Sequence, residues 1–382
     1  MFDVMRGMPL SGSNRLIEAQ SSAAESAGGQ PLKPTSTGFS VTGTNASATF
    51  IYIAIRRGPM RPPTSGTSVF YPLTISQANS IDSTGVPFPP DLINTFSRNG
   101  SSRTSAQQFL VVDRLRSAGA PNDTFSASGA GLNTALTDAE TAAGSASPYV
   151  QLKANSQDIT RGTGWNTASY GNWVNYFFRR APGFFDIVCY TGVGAAATLN
   201  HNLSVAPEMV IIKGRSVISN WGTYLSLLGG TAGNGLTLNS TSAKTGTPPV
   251  SSATATTFTL NNGVSTSNAQ TYVAYLFATV AGVSKVGSYT GTAALQTINC
   301  GFNGGARFVL IKRTDATGDW YVYDSARGIT SGNDPYLLTN STAVEVTGTN
   351  YVDTTSVGFQ VTAAAPAGLN ASGGTYIFLA IA

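Results

Sequence analysis

Histidine occurs once in the 382 residues, at His201, and cysteine twice, at Cys189 and Cys300. That scarcity bears on whole classes of chemistry. A Ser-His-Asp or Cys-His scheme would have to use His201. Zinc needs three or four thiolate or imidazole ligands, which one His and two Cys cannot assemble. Charge is scarce too. Asp, Glu, Lys and Arg make up 10% of the chain, against roughly a quarter in an average soluble domain. The formal charge of +4 is small and scattered, which argues against a nucleic-acid groove. No apolar run approaches the roughly 18 residues of a membrane-spanning helix. The first ten residues, MFDVMRGMPL, show neither the basic nor the continuous apolar region of a signal peptide. Gly-rich turns occur, but none stands between a strand and a helix as a phosphate loop would.

What replaces charge is Gly, Ser, Thr, Ala and Asn, a composition for many short strands joined by small-residue turns. The chain writes one stretch twice. Residues 173–192 read WVNYFFRRAPGFFDIVCYTG and residues 272–291 read YVAYLFATVAGVSKVGSYTG, with 99 residues between Tyr176 and Tyr275 and between Tyr190 and Tyr289. Each copy holds an apolar strand, a break containing glycine and a second strand ending on Tyr-Thr-Gly. It reads as the last strand of one module running into the first strand of the next.

On that punctuation the chain divides into four. Residues 1–57 resemble the tail end of a module: FDVMRG (2–7) is like YDSARG (323–328), and FIYIAIRR (50–57) is like TYIFLAIA (375–382). The expectation is a fragment of a longer repeat protein, with completion by another chain as the alternative. Residues 58–183 form an enlarged second module with a Pro-rich start (59–72). In it PPDLINTFSR (89–98) stands where EMVIIKGR (208–215) and RFVLIKR (307–313) stand later. It also holds the one helix candidate, LNTALTDAETAAG (132–144). The third and fourth modules, 184–283 and 284–382, keep the 99-residue spacing from Tyr190/Tyr289 through Trp221/Trp320 to Gly229/Gly328.

The third module offers strand candidates FDIVCYT, ATLNHNL, EMVIIK, WGTYLSL, GLTLN, TTFTL and TYVAYLF. The fold class expected is therefore all-β, as tandem antiparallel β-sandwich modules with a repeat of about 99 residues. EMVIIK, RFVLIK and TYVAYLF are apolar on both faces. One face packs into the sandwich; the other must be covered by a loop, a neighbouring module or another subunit.

Candidate sites are few. His201 corresponds to Cys300 one module later, and Cys189 to Ser288, so neither a shared disulfide nor a repeated catalytic position exists. A structural or exposed imidazole and free buried thiols are the plainer readings. Trp221 and Trp320 share one position and read as core. The best-repeated polar feature is Asp-x-x-Arg: Asp3/Arg6, Asp113/Arg116 and Asp324/Arg327. The third module has Leu225 and Leu228 there. Replacement by two leucines fits an ion pair that pins a turn better than a sugar-binding pair. Arg56-Arg57 and Arg179-Arg180, just before the module joints, read as solvated joint residues, with phosphate or carboxylate contact as the alternative. Trp165 and Tyr170, in TGWNTASYGNW, are candidates for exposed aromatic platforms that stack on sugar rings, a core role being the alternative. No carboxylate pair stands out for glycosidic cleavage.

FFDIVCYTG…HNLSVAPEMVIIKGR, LTLNST and TYVAYLFA, and SKVGSYTG…FVLIKRTDATGDWYVYDSARGI…PYLLTNST near the C-terminus, together carry a likeness. They resemble a repeated domain of tailed-bacteriophage virion proteins described as tail-fibre-like. The likeness is strongest over 173–382 and weaker over 58–165. It implies a non-enzymatic virion structural protein of a tail appendage that contributes to host attachment and is assembled in the host cytoplasm. It needs no cofactor, metal, nucleic acid or membrane insertion. Its partners would be other virion proteins, its own copies as a homotrimer, and a host-surface glycan. The rival readings are a capsid decoration or tail adaptor protein and a glycan-degrading tailspike depolymerase. The motifs are specific for the domain and assign no catalytic or ligand residue.

Overall fold

The computed structural model describes residues 61–75, 85–98, 109–116, 131–140, 172–329 and 332–382, with short strand segments between 14 and 41 and between 151 and 160. In the second module the strands are β1 (Phe70–Ile75), β2 (Leu92–Ser97), β3 (Phe109–Asp113), β4 (Leu132–Asn133) and β5 (Trp173–Phe178). The third module contributes β6 (Phe185–Thr191), β7 (Thr198–Asn200), β8 (Met209–Gly214), β9 (Gly222–Leu225), β10 (Leu236–Thr237), β11 (Val250–Ala253), β12 (Thr257–Leu260) and β13 (Thr271–Phe277). The fourth contributes β14 (Ser284–Thr290), β15 (Gln296–Asn299), β16 (Phe308–Arg313), β17 (Trp320–Asp324), β18 (Leu337–Leu338), β19 (Val352–Thr355), β20 (Gly358–Val361) and β21 (Thr375–Ile381).

The protein is all-β, and its ladders are antiparallel. Among the described residues three five-stranded sheets share one order: β1-β5-β2-β3-β4, β6-β13-β8-β9-β10 and β14-β21-β16-β17-β18. In the third and fourth modules a three-stranded sheet, β7-β12-β11 or β15-β20-β19, completes a sandwich. Every strand expected in the third module forms, most of them shorter than their apolar runs. The addition is β11, whose sequence VSSA carries only one large β-former.

The twice-written stretch is β5 into β6 and β13 into β14. At each break a glycine with positive φ, Gly183 (76°) and Gly282 (72°), makes a tight turn. The turns are closed by the bridges Ala181–Phe185 and Val280–Ser284. A side chain with Cβ is strained in that left-handed region, which is why glycine stands there. Tyr190 stacks on Tyr272 at 5.2 Å and Tyr289 on Tyr376 at 4.8 Å, so both copies also place their tyrosine alike.

The doubly apolar strands are explained by layering. Along β8, Met209 and Ile211 enter a central cluster while Val210 and Ile212 enter the third module's own sandwich core. Along β16, Phe308 and Leu310 face the central cluster and Val309 and Ile311 face the sandwich. This is the period-two alternation of a strand with both faces buried. The central cluster takes residues from all three five-stranded sheets, including Phe96, Tyr176, Trp221, Tyr275, Trp320 and Leu379. The second face is thus covered by neighbouring modules of the same chain. Of the three possible covers, a loop, a neighbouring module or another subunit, it is the neighbouring modules that fill this face, so burying it requires no second subunit.

The helix expected over 132–144 is also corrected over its described part. Residues 132–133 are strand β4, 134–135 are turn and 136–140 have no regular structure. Asn133 Oδ1 accepts the Ala135 amide at 2.8 Å, an Asx turn that competes with helix. Further along, the Thr137 carbonyl and the Glu140 amide bond to the third module instead of to their own segment. Residues 141–144 lie outside the described part.

Candidate functional site

The most elaborate polar chemistry lies where the three five-stranded sheets meet. It consists of three joints around a shared apolar centre. At each joint one module's backbone amide bonds a carbonyl of the next: Glu140 to Arg215 (2.7 Å), Lys244 to Thr314 (2.9 Å) and Glu345 to Arg98 (2.9 Å). The contacts run second to third, third to fourth and fourth back to second, so the arrangement closes.

Two joints are built on buried ions. Asp113 and Arg116 pair at the end of β3, and Asp324 and Arg327 at the end of β17; all four side chains are fully buried. Each arginine also caps its own strand, Arg116 Nη2 on the Val111 carbonyl and Arg327 Nη2 on the Val322 carbonyl, both at 2.8 Å. Each aspartate receives a hydroxyl from another module: Tyr275 donates to Asp113 at 2.7 Å, and Tyr176 to Asp324 at 2.8 Å. A glutamate then bridges outward. Glu140 lies between Arg116 and Arg215, and Glu345 between Arg327 and Arg98.

Burial opposes charge on Arg116 and Arg327, but the adjacent carboxylates of Asp113 and Asp324 more than offset it and raise both pKa values. Burial likewise pushes the Tyr176 and Tyr275 hydroxyls far above their ordinary range, so both stay protonated donors.

Two joints also carry a lysine and a tryptophan. Lys213 Nζ donates to the Thr137 and Ser219 carbonyls (2.8 and 2.6 Å), and Lys312 Nζ to those of Thr241 and Gly318 (2.9 and 2.6 Å). Burial lowers both ammonium pKa values to about 8. Trp221 Nε1 donates to the Asn133 carbonyl at 2.7 Å, and Trp320 Nε1 to that of Thr237 at 2.9 Å. The second module has Phe96 and Phe109 at these strand positions, packed edge-to-face at 4.9 Å.

At the centre lies a cavity of about 70 Å³ lined from all three sheets, among others by Asn94, Thr134, Tyr176, Trp221, Tyr275 and Leu379. Asn94 Oδ1 and Thr134 Oγ1 are buried there without partners. At roughly 10–15 Å³ for each water, the space suits a few water molecules rather than a sugar ring.

The Asp-x-x-Arg pairs at 113/116 and 324/327 are therefore joint elements between sheets, inaccessible to a glycan in this arrangement. Asp3, Arg6, Arg56, Arg57, Trp165 and Tyr170 lie outside the described residues. Arg180 is partly buried, and its guanidinium pairs with Asp186 at 3.1 Å across the turn into the third module. His201 has both ring nitrogens engaged, Nδ1 accepting the Leu203 amide and Nε2 on the Thr254 carbonyl, each at 3.1 Å. Burial lowers its pKa, which suits that neutral tautomer. The thiols of Cys189 and Cys300 are pushed up to about 12 by burial, which keeps them unreactive. Among the described residues no group of three or more His, Cys, Asp or Glu side chains is placed to hold a metal ion.

Sequence reasoning passed over Tyr176, Tyr275, Lys213, Lys312, Glu140 and Glu345. A signal existed for four of them: Tyr176/Tyr275 and Lys213/Lys312 recur 99 residues apart inside otherwise apolar runs. Polar atoms retained at one place in buried strands need a partner.

Fold and junction together define a class: an all-β chain whose sheets close on one another through buried polar joints. Residues 74–382, more than half of the chain, match the model of a domain family of unknown function, DUF7483, and the chain belongs to that family. A comparison with curated proteins finds no match.

Proposed function

We propose that the protein is a structural component of a bacteriophage virion, part of a tail fibre or similar tail appendage that contributes to host-surface attachment. In this reading residues 184–283 and 284–382 are two copies of one sandwich module, 58–183 an enlarged copy and 1–57 part of another. The common strand order of the three five-stranded sheets supports that division. The observation that carries the reading is how the ionised groups are used. The arginines and carboxylates of the two described Asp-x-x-Arg pairs, Asp113/Arg116 and Asp324/Arg327, are turned inward to hold sheets together, as suits a building element rather than a reactive pocket. The tail-fibre-like sequence motifs point the same way.

Gold-labelled antibody against the purified chain, applied to intact virions, tests this reading. Label on the distal tail is expected. Label on the head or neck would favour a decoration or adaptor protein, and an unlabelled particle would end the virion reading. Incubation with capsular polysaccharide should release no new reducing ends; release would turn the assignment to a depolymerase. Saturable binding on a glycan array without turnover would locate the attachment role in this chain.

A further inference from the structure

The fourth module carries an aromatic group that the joints do not use. Tyr321 and Tyr323 lie two residues apart on β17 and so turn to the same face. Tyr336, just before β18, stands against both, with ring centroids 5.2 and 5.8 Å away. Tyr351, just before β19, follows at 6.1 Å from Tyr336. Tyr321 and Tyr323 belong to the module's sandwich core, while Tyr336 and Tyr351 pack at its rim and are half-buried.

The apolar surface continues from that rim. Tyr336 and Val346 exchange both backbone hydrogen bonds, at 3.0 and 3.1 Å, so their side chains share a face. Val344 and Val346 are 51% and 37% exposed. They stand on either side of Glu345, whose carboxylate is turned in to the joint.

The third module builds the same strands without these side chains. Gly222 takes the place of Tyr321, Gly235 that of Tyr336, Pro249 that of Tyr351 and Thr245 that of Val346. The two modules share their strand orders, so the fold does not require tyrosines here. Nor are the polar ends of these tyrosines used on the protein. Among the described residues the Tyr321, Tyr336 and Tyr351 hydroxyls have no hydrogen-bond partner, whereas those of Tyr190, Tyr289 and Tyr376 each donate to a carbonyl. A core tyrosine buries its ring and pairs its hydroxyl; Tyr336 and Tyr351 do neither in full.

Size and charge narrow what could settle there. Four side chains fall far short of the roughly 800 Å² that each partner gives to a stable protein interface. Burial raises the Tyr321 and Tyr336 pKa values, and the nearby Asp319 carboxylate adds to both. That negative charge disfavours a phosphate or an acidic sugar. A neutral pyranose suits the place. Its C–H faces are apolar and meet the negative face of an aromatic ring, and its hydroxyls can use free phenol groups.

We propose that Tyr336, Tyr351 and Val346 form a platform for one or two neutral sugar rings, with the Tyr336 and Tyr351 hydroxyls bonding to those of the sugar. The proposal rests on the attachment reading and assigns its glycan contact to the fourth module.

The test applies the full chain to an array of neutral, acidic and phosphorylated oligosaccharides. Binding to neutral ones is expected. Tyr336→Ala combined with Tyr351→Ala should weaken it by about tenfold or more. Val346→Arg leaves the tyrosines in place and sets a long charged side chain beside Tyr336; it should weaken binding too, with the melting temperature close to the parent's. If the double tyrosine variant does not fold, Val346→Arg decides alone. Neutral-glycan binding that survives these substitutions would overturn the platform and leave the attachment reading standing, as would binding confined to acidic or phosphorylated glycans. A parent chain that binds no glycan would also overturn it, while label on the distal tail would still uphold the structural role. Binding lost in the variants of a chain that is absent from virions would uphold the platform and end the reading it rests on.

Discussion

The two joints that flank the second module differ in kind from the joint opposite them. At the second–third joint Tyr275 reaches Asp113, which Arg116 neutralises and Glu140 backs. The fourth–second joint repeats this with Tyr176, Asp324, Arg327 and Glu345. At the third–fourth joint the equivalent places hold Leu379, Leu225 and Leu228, with Lys244 and Thr314 where the others have a glutamate and an arginine. Leu225 and Leu379 are buried in the central cluster. The backbone contact is the same at all three joints, so the closure geometry tolerates either chemistry. What it does not tolerate is a mixture. A carboxylate facing leucine would be stranded, and a leucine facing a buried arginine would leave that charge unpaired. The replacement runs through the whole set because compatibility belongs to the set.

The largest expected effect comes from breaking one ionic joint. Arg327→Ala leaves Asp324 buried with no countercharge, held only by the Tyr176 hydroxyl and the backbone amide of residue 327, and should cost about 3–5 kcal/mol in denaturant unfolding. This exceeds what an exposed pair would give; a loss below about 1 kcal/mol would mean that water reaches the site. Copying the apolar joint into the ionic one sharpens the comparison. The triple change Tyr176→Leu, Asp324→Leu, Arg327→Leu should recover most of that loss, since well-packed apolar sets replace buried ion pairs at little net cost. If the triple variant is as unstable as Arg327→Ala, the two joint chemistries are not interchangeable.

Trp320→Phe removes a donor across the third–fourth joint while the Thr237 carbonyl keeps the Ser240 amide at 3.2 Å, for a loss of about 0.5–1.5 kcal/mol. Trp221→Phe should behave alike toward Asn133.

The lysines make a pH prediction. Between pH 8 and the ordinary lysine value of 10.5 the unfolded chain binds more protons at Lys213 and Lys312 than the folded chain does. Stability should therefore gain a rising contribution over that window. Asp138 near Lys213, and Asp319 and Arg313 near Lys312, are the charged neighbours that set its size. Lys213→Met with Lys312→Met should flatten the slope in pH-dependent urea melts. An unchanged slope would place the titration elsewhere. The smallest effect is expected at the exposed Arg313–Asp315 pair, where Arg313→Ala should change stability by less than about 1 kcal/mol.

Much of this fold was legible in the chain. Short apolar runs bounded by Gly, Asn and Pro give strands because only β-structure suits their length and spacing. The glycines at 183 and 282 mark the turns, and the two-faced runs at 209–213 and 308–312 declare a layer on either side. The candidate site was less legible. The Asp-x-x-Arg pairs stood out by recurrence, yet their burial did not, since exposure depends on which surface arrives from elsewhere in the chain. The helix expected at 132–144 failed for the same reason: Thr137 and Glu140 bond to the third module, a partner that local propensity does not contain.

By itself the sequence determined strand content, turn positions and the need to cover both faces of the central strands, because these follow from side-chain period and backbone preference within a few residues. Only the tertiary structure decided what covers them. The choice between a second chain and the next module depends on how sheets far apart in sequence meet. The value of a buried aspartate depends in turn on whether a tyrosine some 150 residues away comes within 3 Å of it.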